Sequence, residues 1–110
     1  MNKQPSGLIQ VLLDSEAEFG DRHDAAMDLS AFDDEIVEQA LARIACDENS
    51  DDDLADSCGE SLAEIWCRKS LINQQVLMEL VPVSLRIALA TLQSCSPELA
   101  AQAEAALRMK

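Results

Sequence analysis

The segment CDENSDDDLADSC, residues 46–58, carries six carboxylates in thirteen positions and is the densest cluster of potential ligand atoms in the chain. The first, third and fifth positions of an EF-hand calcium loop are matched by oxygen-bearing side chains: Asp47, Asn49 and Asp51. However, the sixth position is Asp52 instead of the glycine that the turn requires, and the twelfth is Cys58 instead of a bidentate glutamate. The segment therefore predicts no specific calcium site, and we expect neither a metal nor another cofactor.

A helix start accounts for part of this acidity. Three consecutive carboxylates, Asp51, Asp52 and Asp53, precede an apolar series that repeats at helical spacing through Leu54 and Cys58. Carboxylates at a helix N-terminus accept hydrogen bonds from free amide groups and complement the helix dipole. Capping uses one or two of them, and the surplus repels itself at a cost in stability. The surplus therefore indicates a surface that receives a positively charged partner.

The residue types that could perform catalysis form no recognisable constellation. His23, the single histidine, lies between Arg22 and Asp24, which predicts a surface residue instead of a base or a ligand. The chain has no glycine-rich phosphate loop. A nucleophile at Cys67 or Cys58 is an alternative, but acidic surroundings raise the pKa of a thiol and oppose that role. We therefore expect no enzymatic activity and no catalytic residues.

The four cysteines form no C-x-x-C pair and sit at apolar helical positions, so we expect reduced thiols packed in a core. The N-terminal apolar run, residues 8–13, is interrupted by Asp14 and is too short for a secretory signal or a membrane span. These features predict a cytoplasmic protein.

The net charge of −13 is unevenly distributed. Between Asp14 and Glu64 there are eighteen acids and two bases, Arg22 and Arg43, whereas the remaining residues carry six bases and three acids. Such a field repels nucleic acids and anionic membranes and attracts basic proteins. Acidity that only keeps a small protein soluble is the alternative. The charge therefore predicts a basic protein partner, with no nucleic acid and no membrane.

Composition predicts one all-α domain over residues 1–110, with residues 1–5 flexible. Apolar residues make up 48% of the chain, too many for a disordered protein, and aromatic residues only 3%. Leu, Ile, Val, Met and Ala must therefore form the core. Their helical spacing, without strand-like alternation, predicts about seven short helices in antiparallel pairs.

Punctuating residues predict where several of these helices begin. Gly20 is expected to break the chain after the first helix, and Asp33 or Asp34 to cap the third. Pro82 suits the first turn of the sixth helix. The fifth and seventh helices are expected to be capped by Ser70 and Ser96. We expect the first, second and fourth helices near residues 6–14, 21–31 and 51–67.

The helical segments also repeat. DAAMDLSAF, from Asp24, aligns with SCGESLAEI, from Ser57, at an interval in the range of roughly 27 to 36 residues that is typical of helical solenoids. Residues 21–66 resemble the short HEAT-like repeats of phycobilin lyases, which alternate an Ala-rich outer helix, an acid-containing turn and an inner helix of the type seen here in IVEQALARI. The resemblance is weak over the final third. It implies an α-solenoid for recognition without catalysis. A generic helical bundle is the alternative.

Charge and resemblance together predict an acidic binding protein that neutralises a basic partner. Small acidic helical proteins of this kind resemble bacterial immunity proteins, which inhibit cognate toxins such as the nucleases of contact-dependent growth inhibition. A toxic nuclease carries a cationic cleft for phosphate backbones, which an acidic monomer can occupy in a one-to-one complex. A HEAT-like scaffold, an adaptor subunit or a chaperone of a larger complex is the alternative.

The expected docking residues are acids of the opening segment and of the preceding helix, together with one tryptophan. Trp66, beside Arg68 and Lys69, suits either a core anchor or an interface hot spot, and its position in the apolar stripe favours the core. The predicted docking residues are Glu35, Glu38, Asp47, Glu48, Asp51, Asp52, Asp53, Asp56 and Trp66.

Overall fold

A computed structural model describes residues 4–110 of the chain. These residues form seven α-helices, with a short 3-10 turn at Leu29–Ala31 and no β-strand, so the all-α prediction is confirmed. None of the described helices combines the length and the hydropathy needed to cross a bilayer. Of the segment 1–5 that was expected to be flexible, residues 1–3 lie outside the described part, and Pro5 begins the first helix. The helices are α1 (Pro5–Leu13), α2 (Phe19–Asp28), α3 (Glu35–Ala45), α4 (Asp52–Lys69), α5 (Gln74–Glu79), α6 (Pro82–Cys95) and α7 (Pro97–Arg108).

The longest helix, α4, lies at the centre of the packing and contacts α2, α3 and α6. Helices α2, α4 and α6 form one packed series. Helix α1 packs on α2 and α3, while α7 packs on α5 and α6. The core is aliphatic around a single tryptophan, as the composition requires. Its fully buried large side chains include Leu12, Leu29, Leu41, Leu62, Ile65, Trp66 and Leu92.

A glycine allows α4 and α6 to approach closely. A Cβ atom on Gly59 would lie 2.6 Å from the backbone oxygen of Ser84. The Ser84 hydroxyl donates a 2.6 Å hydrogen bond to the carbonyl of Ala45 at the end of α3. On the same central helix, the buried Ser61 hydroxyl donates to the carbonyl of Ala26 at 2.7 Å. Small and hydroxylated residues of α4 and α6 thus tie four helices together: α2, α3, α4 and α6.

Two predicted helix boundaries are wrong. Gly20 lies inside α2, because α1 already ends at Leu13 and the turn follows at Asp14, whose carboxylate accepts the Glu16 amide at 2.9 Å. Ser70 ends α4 instead of beginning the fifth helix, which is capped by Asn73. The predicted cap positions Asp34 and Ser96 are confirmed, although only Ser96 accepts a hydrogen bond from its helix.

Cys67 and Cys95 form a disulfide, so the expectation of four reduced thiols is wrong for this pair. Both residues lie near the C-terminal ends of helices that pack side by side, α4 and α6, and their Cα atoms are 6.4 Å apart. Twenty-eight positions separate them in sequence, so no local cysteine spacing indicates the pair. Cys46 and Cys58 are free.

Candidate protein-binding surface

The acidic segment is built around the start of α4. Asp51 is the N-cap, and its carboxylate accepts the amides of Asp53 at 2.9 Å and Leu54 at 3.3 Å. In the preceding turn, the Asp47 carboxylate accepts the amide of Asn49 at 2.9 Å. The helix-start interpretation is therefore confirmed. Two carboxylates of the segment organise the local backbone, and the others have no such task.

The carboxylates at the α3–α4 turn face solvent, including the two that accept backbone amides. Five acids at the α3–α4 turn are exposed, and no ion pair within 4.0 Å joins any of them to a basic residue among residues 4–110. No group of three or more histidine, cysteine or acidic side chains in the described part of the chain is arranged to hold a metal ion. We call this set the acidic turn: Asp47, Glu48, Asp51, Asp52 and Asp53.

Two predicted docking residues are engaged inside the protein instead. Trp66 is fully buried, and its indole N–H donates a 2.9 Å hydrogen bond to Oε1 of Glu38. The other carboxylate oxygen of Glu38 accepts a 2.8 Å bond from Nζ of Lys69. Only 8% of Glu38 is exposed. The core interpretation of Trp66 is confirmed, and Glu38 joins α3 to α4 because it pairs a buried donor with a cation.

The two basic residues at the end of α4 are exposed, but both are paired with groups of the protein itself. The Arg68 guanidinium pairs with Asp33 and donates to the carbonyl of Ser30 at 2.8 Å. The hydrogen bond from Lys69 to Glu38 raises the pKa of the lysine above its ordinary value. Arg68 therefore joins the segment before α3 to α4, and Lys69 joins α3 itself to α4, so neither cation is paired with the acidic turn.

A second acidic feature was missed by the sequence reasoning, although its spacing is visible in the sequence. Every fourth residue along α4 is acidic, from Asp52 to Glu64, which places the carboxylates on one face of the helix. Partial burial raises the pKa of Glu60, and the nearby charges of Glu64 and Asp56 raise it further, whereas His23 opposes the shift. The carboxylates therefore repel one another. We call this face the α4 ridge: Asp52, Asp56, Glu60 and Glu64.

A cleft separates α3 from α5, which is only six residues long. It consists of two adjoining hollows of about 370 Å³ and about 720 Å³, which share Glu35 and Val76 in their walls. Acids stand along its rim at Glu35, Asp47 and Glu79, and Arg43 lies among them. We call this region the α3–α5 cleft. It was not predicted, because its walls come from segments that are distant in sequence.

The structure brings the predicted acids together in part. Glu35 and Asp47 both line the α3–α5 cleft. Asp47 also lines a third hollow of about 440 Å³, with Glu48 and Asp52, beside the start of α6. The cleft and the acidic turn are therefore continuous at Asp47. Asp56 belongs to the α4 ridge instead.

No protein-family model, curated protein or solved structure matches this chain significantly.

The two free thiols lack the features of a nucleophile. Cys58 is fully buried, and burial raises the pKa of its thiol to about 12. Burial, followed by the charge of Glu79, raises the pKa of Cys46. Thiolates are therefore disfavoured at both positions.

Proposed function

We propose that this protein is a non-enzymatic binder that neutralises a basic protein through its acidic turn. The observation that carries the proposal is the position of the five exposed carboxylates of the acidic turn, none of which forms an ion pair within the described residues. Two of these carboxylates cap local backbone amides, and the rest contribute self-repulsion to the folded state. A cationic partner removes that repulsion when it binds.

Electrostatics also supports rapid and selective association. A net charge of −13 on 110 residues produces a field that attracts a basic surface over distances of about a Debye length, roughly 10 Å at 0.1 M salt. Complementary charge raises the association rate and disfavours acidic partners. The α4 ridge extends the field beyond the acidic turn, because its four carboxylates follow one face of the longest helix.

The most specific form of the proposal is an immunity protein. A toxic nuclease has a cationic cleft that holds phosphate groups, and an acidic protein bound there excludes the nucleic acid. We place such a protein in the bacterial cytoplasm, as a monomer that forms a one-to-one complex with its toxin in contact-dependent growth inhibition. The successive contacts of α2 with α4 and of α4 with α6 support a short HEAT-like stack as the scaffold.

A specific observation favours a second candidate, a HEAT-like scaffold, adaptor subunit or chaperone. Two large apolar side chains on the α3 side of the protein are exposed, Ile36 by 53% and Leu71 by 65%. Exposed apolar groups of this size suit a permanent partner, whose surface would cover them. The two candidates differ in the salt dependence of binding, because apolar contacts are not weakened by screening.

The test isolates the partner by co-purification and measures its association rate by stopped flow. Replacing two carboxylates that do not cap the helix, in the variant Asp52→Asn/Asp53→Asn, is expected to slow association about tenfold at low salt and to flatten its salt dependence. The matched control, Glu98→Gln/Glu104→Gln, removes the same charge from exposed positions of α7. An acidic partner, or a rate that neither salt nor the first variant changes, contradicts the proposal.

A further inference from the structure

An apolar side chain stands at the mouth of the α3–α5 cleft. Helix α4 ends in a left-handed residue, Ser70, with φ 55° and ψ 38°. The amide of Ser70 donates a hydrogen bond to the carbonyl of Cys67 at 3.2 Å, and the amide of Leu71 donates to the carbonyl of Trp66 at 3.1 Å. This pair of bonds is the Schellman motif, in which the residue after the left-handed position usually packs back on its helix. Here Leu71 does not, since 65% of it is exposed.

The surroundings of Leu71 are apolar at the floor of the cleft and acidic at its rim. The half-buried side chains of Ile72 and Val76 continue the apolar floor. Glu35 and Glu79 stand on opposite sides of the cleft, one on α3 and one on α5, and neither forms an ion pair within the described residues. The rim is negative on balance, because the acids Glu35, Asp47 and Glu79 outnumber Arg43, and Lys69 is already paired with Glu38.

The length of the cleft sets the size of its occupant. Its α3 wall runs from Glu35 to Cys46, which at about 1.5 Å per residue is roughly 16 Å. An extended peptide covers about 3.3 Å per residue, so this wall accommodates about five residues. The side-chain amides of Gln39 and Asn73, which line both hollows, can bond to the backbone of such a peptide.

We infer that the α3–α5 cleft binds an extended basic segment of the partner protein, with one apolar side chain of that segment packed on Leu71 and its lysine or arginine neighbours paired with Glu35 and Glu79. The inference rests on the proposed function and adds to it a position and a sequence class for the bound segment. Charge complementarity selects lysine and arginine, and the apolar floor selects a side chain such as leucine between them.

The test is a titration of the intact, isotope-labelled protein with the blocked peptide Arg-Lys-Leu-Lys-Arg, followed by NMR of the backbone amides. We expect saturable shifts at Gln39, Leu71, Asn73 and Val76. The analogue with serine in place of leucine is expected to bind about tenfold more weakly, because burying a leucine between apolar groups is worth about that factor. Higher salt should weaken both peptides.

Substitutions on the protein complete the test. Leu71→Ser is expected to lower affinity for the leucine peptide about tenfold and to abolish the preference for it over the serine peptide. The matched apolar control is Met27→Ser, on the exposed part of α2. Glu79→Gln is expected to weaken both peptides two- to fivefold at low salt, unlike Glu104→Gln on α7. Thermal melting verifies that each variant is folded.

The outcomes separate this inference from the function on which it rests. Shifts confined to the acidic turn or the α4 ridge, with equal affinities for the two peptides, overturn the cleft while leaving the acidic turn as the docking surface. A peptide that binds nowhere also rejects the cleft. The proposed function is judged separately, by the association rate of the intact partner with Asp52→Asn/Asp53→Asn.

Discussion

The carboxylate of Glu38 is shared between two donors, and this explains why an acid is tolerated at a position that is only 8% exposed. Its two oxygens accept bonds from the Trp66 indole at 2.9 Å and from the Lys69 ammonium at 2.8 Å. A buried charge is stable only when it is paired and hydrogen-bonded. In the sequence Glu38 is indistinguishable from its exposed neighbour Glu35, because the two partners lie on another helix.

We expect Glu38→Ala to lower the free energy of unfolding by about 2–3 kcal/mol. The substitution leaves the indole N–H of Trp66 buried without an acceptor, while the unpaired Lys69, whose side chain is 30% exposed, can reach water. Glu38→Gln keeps an oxygen for the indole and should cost less. Urea denaturation followed by Trp66 fluorescence measures both. Gln39→Ala, at an exposed neighbouring position, is the control and should change stability by under about 0.5 kcal/mol. Equal losses for Glu38→Ala and Gln39→Ala would contradict this role.

The cysteines are distinguished by burial and pairing. Burial raises the pKa of Cys58 to about 12, so this thiol should not react with Ellman's reagent at pH 8 while the protein is folded. The half-buried Cys46 should react slowly. After denaturation without reductant, two thiols are expected, because Cys67 and Cys95 are paired. Four thiols in that sample would contradict the pairing of Cys67 with Cys95.

At the scale of the helices, the contact between α4 and α6 depends on one missing side chain. A methyl group on Gly59 would meet the Ser84 oxygen at 2.6 Å and Ile87 at 3.0 Å, and a backbone oxygen cannot move aside cheaply. We therefore expect Gly59→Ala to destabilise the protein by about 1–3 kcal/mol, despite the better helix propensity of alanine.

Gly20 provides the matched control for this prediction. It is also helical, but a Cβ atom there would have nothing within 4 Å. Gly20→Ala should therefore raise stability by about 0.5–1 kcal/mol through helix propensity alone. Thermal melts of the two variants should shift in opposite directions. A shift of the same sign for both would show that close packing at Gly59 is not what requires glycine.

The helices themselves were predictable because apolar spacing reports which face is buried. The predicted span near 51–67 matches α4, and the Ser96 cap and Pro82 position match the structure. The two wrong boundaries were predicted from Gly20 and Ser70, and residues of these types occur at more than one position relative to a helix. Serine suits an N-cap, yet Ser70 takes a left-handed conformation in a C-terminal motif that is set by bonds to the end of α4.

At the scale of the whole molecule, the acidic turn was predictable and the cleft was not. Consecutive acids at a helix start can be recognised from a short stretch of sequence alone. The α3–α5 cleft instead combines Glu35 and Asp47 with Leu71 and Glu79, which meet only through the packing of helices around α4. The same packing pairs Arg68 with Asp33 and Lys69 with Glu38, which charge counting cannot show.

The uncompensated charge predicts an unusual response to pH. The pKa of Glu60 is raised in the folded protein, first by burial and then by Glu64 and Asp56, against the effect of His23. A group whose pKa is higher in the folded than in the unfolded protein stabilises the fold. This contribution is complete when the pH is below the unfolded pKa, near 4.5, and is lost as the pH rises through the folded pKa. We therefore expect this contribution to raise the melting temperature as the pH falls through the folded pKa of Glu60 towards 4.5. Added salt at pH 7 should raise it as well, since screening weakens the same repulsion.

The variant Glu60→Gln separates the ridge from the general acidity of the chain. It removes the charge at the point where three carboxylates of the α4 ridge interact, so its melting temperature at pH 7 should exceed that of the wild type. Its gain in melting temperature as the pH falls towards 4.5 should be smaller, because the carboxylate whose pKa is raised is absent. Glu104→Gln, on the exposed face of α7, should keep the wild-type pH dependence. Scanning calorimetry at pH 5, 6 and 7 measures all three proteins. If the melting temperature instead falls steadily from pH 7 to 5, or if Glu60→Gln keeps the wild-type slope, the repulsion on α4 is too weak in the folded protein to be a reason for binding a basic partner.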